Sequence, residues 1–304
     1  MIVVITGSNG FSALYLAKFI KESNLAKLIF GIDVSNENKN NFVDEYFALN
    51  EYGAFSESLT TISENVRFFH LGGLLGHRPL TTLIESNVLW TSRFIDSASR
   101  IKNLQCFVNI GSSAEYGRQD MGILSEDLVP NPITNNGISK HLQTQLVLAA
   151  AKFSKARAIC TRTFNLIGPG LNQNLVVGKM VKEFKQVRDG FKDKIELGRM
   201  DSKRDFIDVR DAVKAYWLLS EKAPGGEIFN VASGRSIEIR ELYRICTNIF
   251  SFSPEIDQKI TAPLGLDVDY QYADISKLKK NIAFDCFYSI EVTLRDMIDT
   301  LESS

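Results

Sequence analysis

Short apolar runs alternate along this chain with longer stretches in which apolar side chains recur at helical spacing. Residues 1–6 form an apolar, β-branched run, residues 11–20 have the helical spacing, and residues 28–32 form a second apolar run. Short continuous apolar runs are typical of buried strands, and helical spacing is typical of an amphipathic helix. The first part of the chain is therefore predicted to be a strand, a helix and a second strand.

The same alternation continues to about residue 232. Further strands are predicted at 46–50, 66–73, 104–110, 158–164 and 226–232, and helices at 87–100, 137–153 and 211–221. Strands that are apolar throughout and alternate with helices predict a parallel sheet that is covered on both faces. The fold class is therefore α/β, with a Rossmann-like doubly wound parallel sheet.

A glycine turn, Gly7-Ser8-Asn9-Gly10, joins the first strand to the first helix. Gly7 can turn the chain with a positive φ, and Gly10 leaves no Cβ between the backbone and a pyrophosphate. The helix that begins there directs free N–H groups and a partial positive charge towards phosphates. These features predict a dinucleotide site, and a tight turn without a ligand is the alternative.

The second strand ends on Asp33, where a carboxylate can accept hydrogen bonds from both ribose hydroxyls. Val34 and Ser35 follow it, so no basic residue next to Asp33 could bind the 2′-phosphate of NADP. The carboxylate of Asp33 would also repel that phosphate. We therefore expect NAD as the cofactor rather than NADP.

Other segments are predicted to lie near this cofactor. The polar stretch 35–41 reads as a loop over the adenosine, and Asn50 is expected to face the adenine. The pair Gly72-Gly73 ends the strand predicted at 66–73, where glycines again allow the backbone to approach a cofactor closely.

The rhythm of the pattern changes after residue 170. The elements predicted there are a helix at 175–187, a short strand at 195–198 and helices at 239–250 and 290–301. We therefore predict two lobes. The dinucleotide-binding domain comprises residues 1–170 and about 206–232, and a smaller C-terminal substrate-binding lobe comprises residues 171–205 and about 233–304.

Composition narrows the possible partners. The chain has 304 residues, 44% of them hydrophobic and 23% charged, and a net charge of −1, so neither nucleic acid nor an anionic membrane is an expected partner. No apolar run approaches the roughly 20 residues that span a bilayer. The four cysteines are far apart and show no metal-binding spacing, so we expect no metal, reduced thiols and a cytoplasmic location.

Several motifs together resemble one family. They are Thr6-Gly7-Ser8-Asn9-Gly10-Phe11, His70-Leu71-Gly72-Gly73, Asn87-Val88, Gly111-Ser112-Ser113-Ala114-Glu115-Tyr116-Gly117, Ser139-Lys140, the segment 162–170 and the segment 204–211. The chain resembles the extended short-chain dehydrogenase/reductases (the NAD-dependent epimerase/dehydratase family) and is most similar to GDP-4-keto-6-deoxy-mannose reductases and GDP-mannose dehydratases. This resemblance implies a nucleotide-sugar substrate and hydride transfer between nicotinamide and a sugar carbon.

The resemblance also assigns roles to single residues. Ser113 would polarise the sugar oxygen, and Lys140 would hydrogen-bond the nicotinamide ribose and lower the pKa of a neighbouring acid. The residues implied in cofactor binding are Gly7, Asn9, Gly10, Phe11, Asp33, Asn50, Leu71, Gly72, Gly73, Asn87 and Lys140. Substrate binding is implied for Ser113, Asn165 and Arg204.

The chain departs from the family pattern at Asn136, where the family has a catalytic tyrosine. An amide can donate a hydrogen bond but does not titrate, so it cannot supply the proton that accompanies hydride transfer. Acid–base help of this kind is typically worth about 10²–10⁴ in rate. The proton would instead pass through Ser113 to water or come from Glu115, Tyr116 or His77. Glu115 reads equally well as a base and as a solvated loop acid.

A second departure concerns the diphosphate of the substrate. The family usually offers two arginines, of which Arg204 matches the first, but Leu264 stands where the second is expected. We therefore keep two hypotheses. The first is an NAD(P)-dependent reductase or epimerase for a nucleotide sugar, and the alternative is a catalytically impaired dinucleotide-binding or regulatory protein on the same fold.

Two predicted helices, 87–100 and 138–153, carry apolar residues beyond one buried stripe, among them Trp90, Leu146 and Val147. In the family that the chain resembles, the matching helices form a four-helix dimer contact. We therefore expect a homodimer.

Overall fold

A computed structural model of the protein describes residues 1–119, 122–152, 155–259 and 270–303. The strands, in chain order, are β1 (Ile2–Thr6), β2 (Leu28–Asp33), β3 (Glu45–Ala48), β4 (Val66–His70), β5 (Leu104–Ser112), β6 (Ile123–Leu124), β7 (Arg157–Thr163), β8 (Asn165–Ile167), β9 (Lys194–Leu197), β10 (Lys203–Asp208), β11 (Glu227–Val231), β12 (Ser236–Glu238), β13 (Glu255–Gln258) and β14 (Tyr270–Ala273). The α-helices are α1 (Phe11–Glu22), α2 (Tyr52–Thr60), α3 (Leu80–Ile84), α4 (Trp90–Ser99), α5 (Asn135–Ala151), α6 (Val176–Arg188), α7 (Val209–Lys222), α8 (Ile239–Phe250), α9 (Ser276–Ile282) and α10 (Ile290–Glu302).

Seven strands form one sheet in the order β3-β2-β1-β4-β5-β7-β11, and every neighbouring pair is parallel. The strand order reverses between β1 and β4. In open α/β sheets a crevice forms at the carboxyl ends of the strands on either side of such a reversal, and ligands bind there. The predicted fold class is confirmed, and the topology places the binding crevice after β1 and β4.

The two faces of the sheet are both covered, as the continuous apolar runs predict. Along β1, Val3 and Ile5 belong to a core cluster that includes residues of α1 and α7, and Ile2 and Val4 belong to a second cluster with residues of α2, α4 and α5. All five residues of β1 are buried. Because successive side chains of a strand point to opposite faces, a strand buried on both faces must be apolar throughout.

A smaller assembly of strands and helices follows the sheet. Strands β12, β10, β14 and β6 form a second sheet, β8 pairs with β10, and β13 pairs with β9. A third core cluster lies among α6, α8 and α10, with Phe184, Leu242 and Leu294 at its centre. By contrast, Leu278 and Ile282 of α9 belong to the same cluster as α1 and α7. The exact division of the chain into two lobes stays a prediction.

Three acids tie these parts together. Asp205 accepts hydrogen bonds from the backbone N–H groups of Ser233, Gly234 and Ala273. Asp208 caps α7 and binds Arg210 and Thr293, and Asp211 accepts from the backbone of Phe287 and Tyr288. The acidic side chains of the segment 204–211 thus join the sheet to the chain that follows it.

Several predicted boundaries were wrong. The helix predicted at 87–100 begins at Leu80, because α3 continues into α4 through a π-helical turn, Glu85–Leu89. The strand predicted at 46–50 ends at Ala48, and a 3₁₀ turn, Leu49–Glu51, follows it. Helix α5 begins at Asn135 because the Thr134 hydroxyl caps it by accepting from the Gly137 N–H at 3.0 Å. Within the described residues, no helix has the length and apolar character needed to cross a membrane.

Candidate active site

A cleft of about 450 Å³ lies at the carboxyl ends of β1, β2 and β4, a volume typical of small-molecule sites. The residues predicted to bind the cofactor that line it are Gly7, Asn9, Gly10, Asp33, Leu71, Gly72 and Gly73. The cleft therefore coincides with the crevice at which the strand order reverses.

The glycine turn has the geometry that a dinucleotide requires. Gly7 adopts φ +65°, and a Cβ on it would lie 2.7 Å from the Cα of Gly72, so the ends of β1 and β4 are in backbone contact. Gly10 precedes α1, and no side chain caps the first turn of this helix. Its free N–H groups and helix dipole are therefore available to an anion in the cleft.

Asp33 is held at the edge of the cleft by the same turn. Its Oδ2 accepts a hydrogen bond from the backbone N–H of Asn9 at 3.0 Å. The side chain of Asn9 turns the other way, because its Oδ1 accepts from the Lys39 N–H at 2.8 Å and its Nδ2 donates to Glu37 O at 2.9 Å. The side chain of Asn9 therefore orders the loop predicted to cover the adenosine, and its backbone N–H holds Asp33.

Two of the residues predicted at the cofactor, Asn50 and Phe11, are not among those that line the cleft. Asn50 is exposed in the turn after β3 and is not among the lining residues, whereas its neighbour Leu49 is. Phe11 begins α1, and its ring packs edge-to-face against Tyr15, with the ring centroids 5.5 Å apart. The side chain of Phe11 therefore belongs to the packing of α1.

Asn87 holds the glycine-rich end of β4. Its Oδ1 accepts from the Leu74 N–H at 2.8 Å, and its Nδ2 donates to Leu74 O at 3.1 Å and to Ser139 Oγ at 2.9 Å. Gly73 has φ +153°, and a Cβ on it would lie 2.7 Å from Asn87 Oδ1. Asn87 is thus fully engaged with protein atoms and fixes the strand end, while its direct contact with a cofactor stays a prediction.

Lys140 is buried beneath this strand end. Its Nζ donates to Gln143 Oε1 at 2.9 Å and to Ile110 O, at the end of β5, at 3.4 Å. A Cβ on Gly73 would lie 3.2 Å from this Nζ. Burial lowers the pKa of Lys140 to about 8, although the nearby Glu115 carboxylate opposes that shift.

A network of buried polar side chains continues from Lys140 beneath the cleft. Gln143 Nε2 donates to Thr91 Oγ1 at 2.9 Å and lies 3.1 Å from His70 Nε2. His70 Nδ1 is 2.6 Å from Thr6 Oγ1, which accepts from the Gly72 N–H at 3.2 Å. Burial lowers the pKa of His70 to about 3, so this imidazole is neutral at pH 7. The network joins Lys140 to the glycine-rich end of β4.

Ser113 and Asn136 come from two turns that pack together. Ser113 begins a 3₁₀ turn, Ser113–Glu115, at the end of β5, and Asn136 lies in the first turn of α5. Gly137 packs so closely on Ala114 O that it leaves no room for a Cβ. The Oδ1 atom of Asn136 is buried and accepts no hydrogen bond from the described part of the chain. The fold therefore brings Ser113 and Asn136 into one region, as the resemblance implies.

Glu115 is neither a free base nor a solvated loop acid. It is completely buried, its Oε1 accepts from the Ser112 N–H and the Thr144 hydroxyl, both at 3.1 Å, and its Oε2 lies 3.4 Å from Arg162 Nε. Burial raises its pKa to about 7, against the opposing effect of Arg162. The expectation of a solvated acid was wrong, because Arg162 on β7 and Thr144 on α5 enclose the turn.

The other suggested proton sources are also constrained. Tyr116 is buried, its hydroxyl donates to Asn230 Oδ1 at 2.7 Å, and burial raises its pKa to about 12. The guanidinium of Arg162 lies 4.4 Å from the centre of its ring. His77 is exposed in the loop after β4. Tyr116 therefore packs beneath the turn and supports it.

Of the residues implied in substrate binding, Asn165 and Arg204 lie on adjacent strands, β8 and β10. Asn165 begins β8, is exposed and donates to Asp205 O at 2.8 Å. It pairs in register with Phe206 of β10, two residues after Arg204. Leu264 lies outside the described residues. No group of side chains among the described residues has the makeup of a metal site.

Sequence reasoning assigned no site role to Gln143, His70 or Arg162, although His70 and Arg162 stand in motifs that carry the resemblance. Gln143 follows Lys140 by three residues, a spacing that places two helical side chains on one face, and this was the available signal. His70 and Arg162 reach the site only through the pairing of β4, β5 and β7, which residue spacing does not show.

Comparison with known proteins supports the resemblance. Residues 3–232 match the family model described as the NAD dependent epimerase/dehydratase family. The chain is 33% identical over 195 residues to GDP-6-deoxy-D-talose 4-dehydrogenase of Aggregatibacter actinomycetemcomitans, a match covering 63% of each protein. It is 30% identical to GDP-6-deoxy-D-mannose reductase of Pseudomonas aeruginosa, over 59% of this chain and 60% of that protein. The matches thus span less than two thirds of these relatives.

A solved structure extends the likeness of fold to the whole chain. UDP-glucose 4-epimerase of Thermotoga maritima, solved with UDP-glucose, superimposes with a TM-score of 0.88 over 100% of this chain and 99% of that one, at 18% identity. At this identity the likeness concerns the fold alone. Because the family model matches more than half of the sequence, the chain belongs to the NAD dependent epimerase/dehydratase family.

Proposed function

We propose that this protein is an NAD-dependent reductase or epimerase that acts on a nucleotide-diphospho-sugar, in the manner of a 4-keto-6-deoxy-sugar reductase. The observation that carries the proposal is the position of Lys140. It is a buried ammonium at the carboxyl end of the sheet, next to Gly73 of the cleft and on the helix whose first turn packs against that of Ser113. The names of the two curated relatives, a GDP-sugar dehydrogenase and a GDP-sugar reductase, support the substrate class.

The cleft suits a dinucleotide. The free first turn of α1 and the turn at Gly7 and Gly10 would hold the pyrophosphate, and Asp33 would accept the ribose hydroxyls. Val34 is strongly exposed beside Asp33 and offers no charge to a 2′-phosphate, which supports NAD over NADP. When bound, the nicotinamide supplies or accepts the hydride.

Residues of the protein would then orient the sugar and donate or accept the proton that accompanies hydride transfer. Ser113 would donate its hydroxyl to the sugar oxygen, and Lys140 would hold the ribose and carry a titratable proton close to neutral pH. Glu115 and Tyr116 are completely buried, and their side chains are hydrogen-bonded to other groups of the protein. This argues against direct contact of either residue with a sugar. Asn165 and Arg204, on the paired strands β8 and β10, would contact the diphospho-sugar.

The second candidate is a dinucleotide-binding or regulatory protein without a redox step. Asn136 favours it, because the amide that replaces the family's tyrosine cannot titrate and has a buried oxygen without a hydrogen-bond partner among the described residues. In this case the cleft would bind NAD, and the nucleotide-sugar lobe would be vestigial.

One experiment separates these candidates. The purified protein would be supplied with NADH or NADPH and with GDP-4-keto-6-deoxy-mannose, and loss of absorbance at the nicotinamide band would be followed. An epimerase would be sought with UDP-glucose and NAD by product analysis. The enzyme proposal predicts turnover that a Ser113→Ala variant loses by about 10²-fold or more. Stabilisation by NAD, without turnover or stabilisation by any nucleotide sugar, would support the binding protein.

We further propose a homodimer that works in the cytoplasm. Of the residues predicted at the dimer contact, Val147 is buried in the core of its own chain because α5 packs it against the sheet, so it cannot contribute. Trp90 is partly buried against Tyr52. The exposed apolar side chains on these helices are instead Leu89 and Leu142. Leu89, which ends the π-helical turn before α4, and Leu142 on α5 support a contact of this region between two subunits. The four unpaired cysteines are compatible with a reducing compartment.

A further inference from the structure

Gln143 connects Lys140 to the floor of the cleft. It follows Lys140 by three residues on α5 and is completely buried. We propose that Gln143 is a positioning residue that holds the Lys140 ammonium at the carboxyl end of the sheet and leaves one of its N–H groups for a ligand beside Gly73. This inference rests on the proposed function, since that ligand would be the dinucleotide.

The orientation of the Gln143 amide is determined by its neighbours. A lysine ammonium is a donor only, so the amide oxygen must face Lys140, where the distance is 2.9 Å. The Thr91 hydroxyl donates to Asn87 O at 2.7 Å, so its oxygen is free to accept from Gln143 Nε2 at 2.9 Å. Exchanging the two ends of the amide would place its NH₂ group against the Lys140 ammonium, a donor facing a donor. The side chain of Gln143 is thus locked between α5 and α4.

Counting donors shows what remains for a ligand. An ammonium has three N–H groups. Within the described residues, Lys140 uses two of them, one on Gln143 Oε1 and one on Ile110 O. The remaining side of Nζ is close to Gly73, which lines the cleft and has no side chain to intervene. An oxygen of a ligand lying over Gly73 would complete the coordination of the ammonium.

A neutral amide at position 143 suits the charges that surround Lys140. The titratable groups that act on Lys140 or respond to it are Glu115, at the turn after β5, and His70, at the end of β4. His70 is neutral, because burial lowers its pKa to about 3, so it does not repel the ammonium. A neutral amide fixes the position of Nζ without adding charge. A carboxylate in its place would stabilise the ammonium and raise the pKa of Lys140.

The test is a titration of Lys140 in the ligand-free protein. Lysine side chains would be labelled with ¹³C at Cε, and the Lys140 resonance would be assigned by its loss in Lys140→Arg. We expect a midpoint near pH 8 in the wild type. Gln143→Glu should raise this midpoint by about one pH unit or more, and Gln143→Met, which removes the oxygen, should lower it. Gln145→Glu, on the exposed face of the same helix, is the matched control and should leave it unchanged.

An unchanged midpoint in both Gln143 variants would overturn the inference. A shift of equal size in Gln145→Glu would also overturn it, because the effect would then come from the charge of the helix rather than from the contact. The proposed function is tested separately by NADH fluorescence titration of the wild type. A wild type that binds no NADH would contradict the proposed function, while the lysine titration would still decide whether Gln143 governs Lys140.

Discussion

Glu115 and Arg162 form an ion pair in which both side chains are enclosed, with Arg162 Nε 3.4 Å from Glu115 Oε2, directly beneath the turn that carries Ser113. The two residues lie 47 positions apart and meet because β5 and β7 are neighbours in the sheet. Burial outweighs the attraction of Arg162, so the pKa of Glu115 is raised to about 7. The support of the active-site turn therefore depends on pH.

The sign of this dependence follows from proton binding. The pKa of Glu115 is about 7 in the folded protein against an ordinary value of 4.5, so Glu115 binds more protons in the folded state. Its contribution to stability is therefore present below pH 4.5 and is lost as the pH rises through 7. Glu115→Gln cannot titrate. The free energy of unfolding of the wild type relative to this variant should fall between pH 4.5 and 7, by about 1.4 kcal/mol for each unit of pKa shift. Urea unfolding at several pH values measures this difference in the free energy of unfolding. Glu255→Gln, at an exposed position, is the control and should show no such fall between pH 4.5 and 7. A constant difference would contradict the raised pKa.

Gly73 and Gly76 form a matched pair in the loop after β4. Both have positive φ, but a Cβ on Gly73 would meet Asn87 Oδ1 at 2.7 Å and Lys140 Nζ at 3.2 Å, whereas a Cβ on Gly76 would meet nothing within 4 Å. Gly76→Ala should therefore cost only backbone strain, about 1–2 kcal/mol. Gly73→Ala should cost more and weaken NAD binding by about tenfold or more, as followed by thermal unfolding with and without NAD. Equal NAD affinity in the two variants would show that the cofactor does not approach Gly73.

Asp33 should decide the choice of cofactor. Removing its carboxylate in Asp33→Asn eliminates charge-assisted hydrogen bonds to the ribose, worth about 1.5–3 kcal/mol, so the Kd for NAD should rise about tenfold or more. The Kd for NADP should change less or fall, because the repulsion of a 2′-phosphate is relieved. Isothermal titration with both dinucleotides measures the ratio. Glu37→Gln, an exposed acid in the neighbouring loop, is the control and should leave the ratio near that of the wild type.

The proposed dimer contact can be tested at Leu89 and Leu142, which are 53% and 41% exposed. A lysine at either position would place a charge in an apolar contact, so Leu89→Lys combined with Leu142→Lys should shift the protein to monomer at micromolar concentration. Sedimentation velocity provides the measurement. Val292→Lys, an equally exposed apolar position on α10, should leave the dimer intact. A wild type that sediments as a monomer would refute the proposal.

Local pattern and residue chemistry by themselves determined the parallel sheet, the glycine turn at Gly7 and the position of Asp33. They suffice because a strand buried on both faces must be apolar throughout, and because a glycine turn between a strand and a helix leaves the same free N–H groups in any fold that contains it. The exact ends of the helices and strands were not determined by local pattern. The start of the long helix at Leu80 depends on a π-helical turn that follows no apolar period.

Only the tertiary structure decided how the site is supported. Sequence spacing allowed Glu115 to be a solvated base, but Arg162 and Thr144 enclose it once β5, β7 and α5 pack together. Lys140 could have been an exposed helical lysine, and its burial against Ile110 and Gln143 became visible only in the packed structure. The physical reason is that hydrogen bonds, burial and the pKa shifts they cause depend on side chains brought together from distant positions, whereas strand and turn preferences depend on neighbours along the chain.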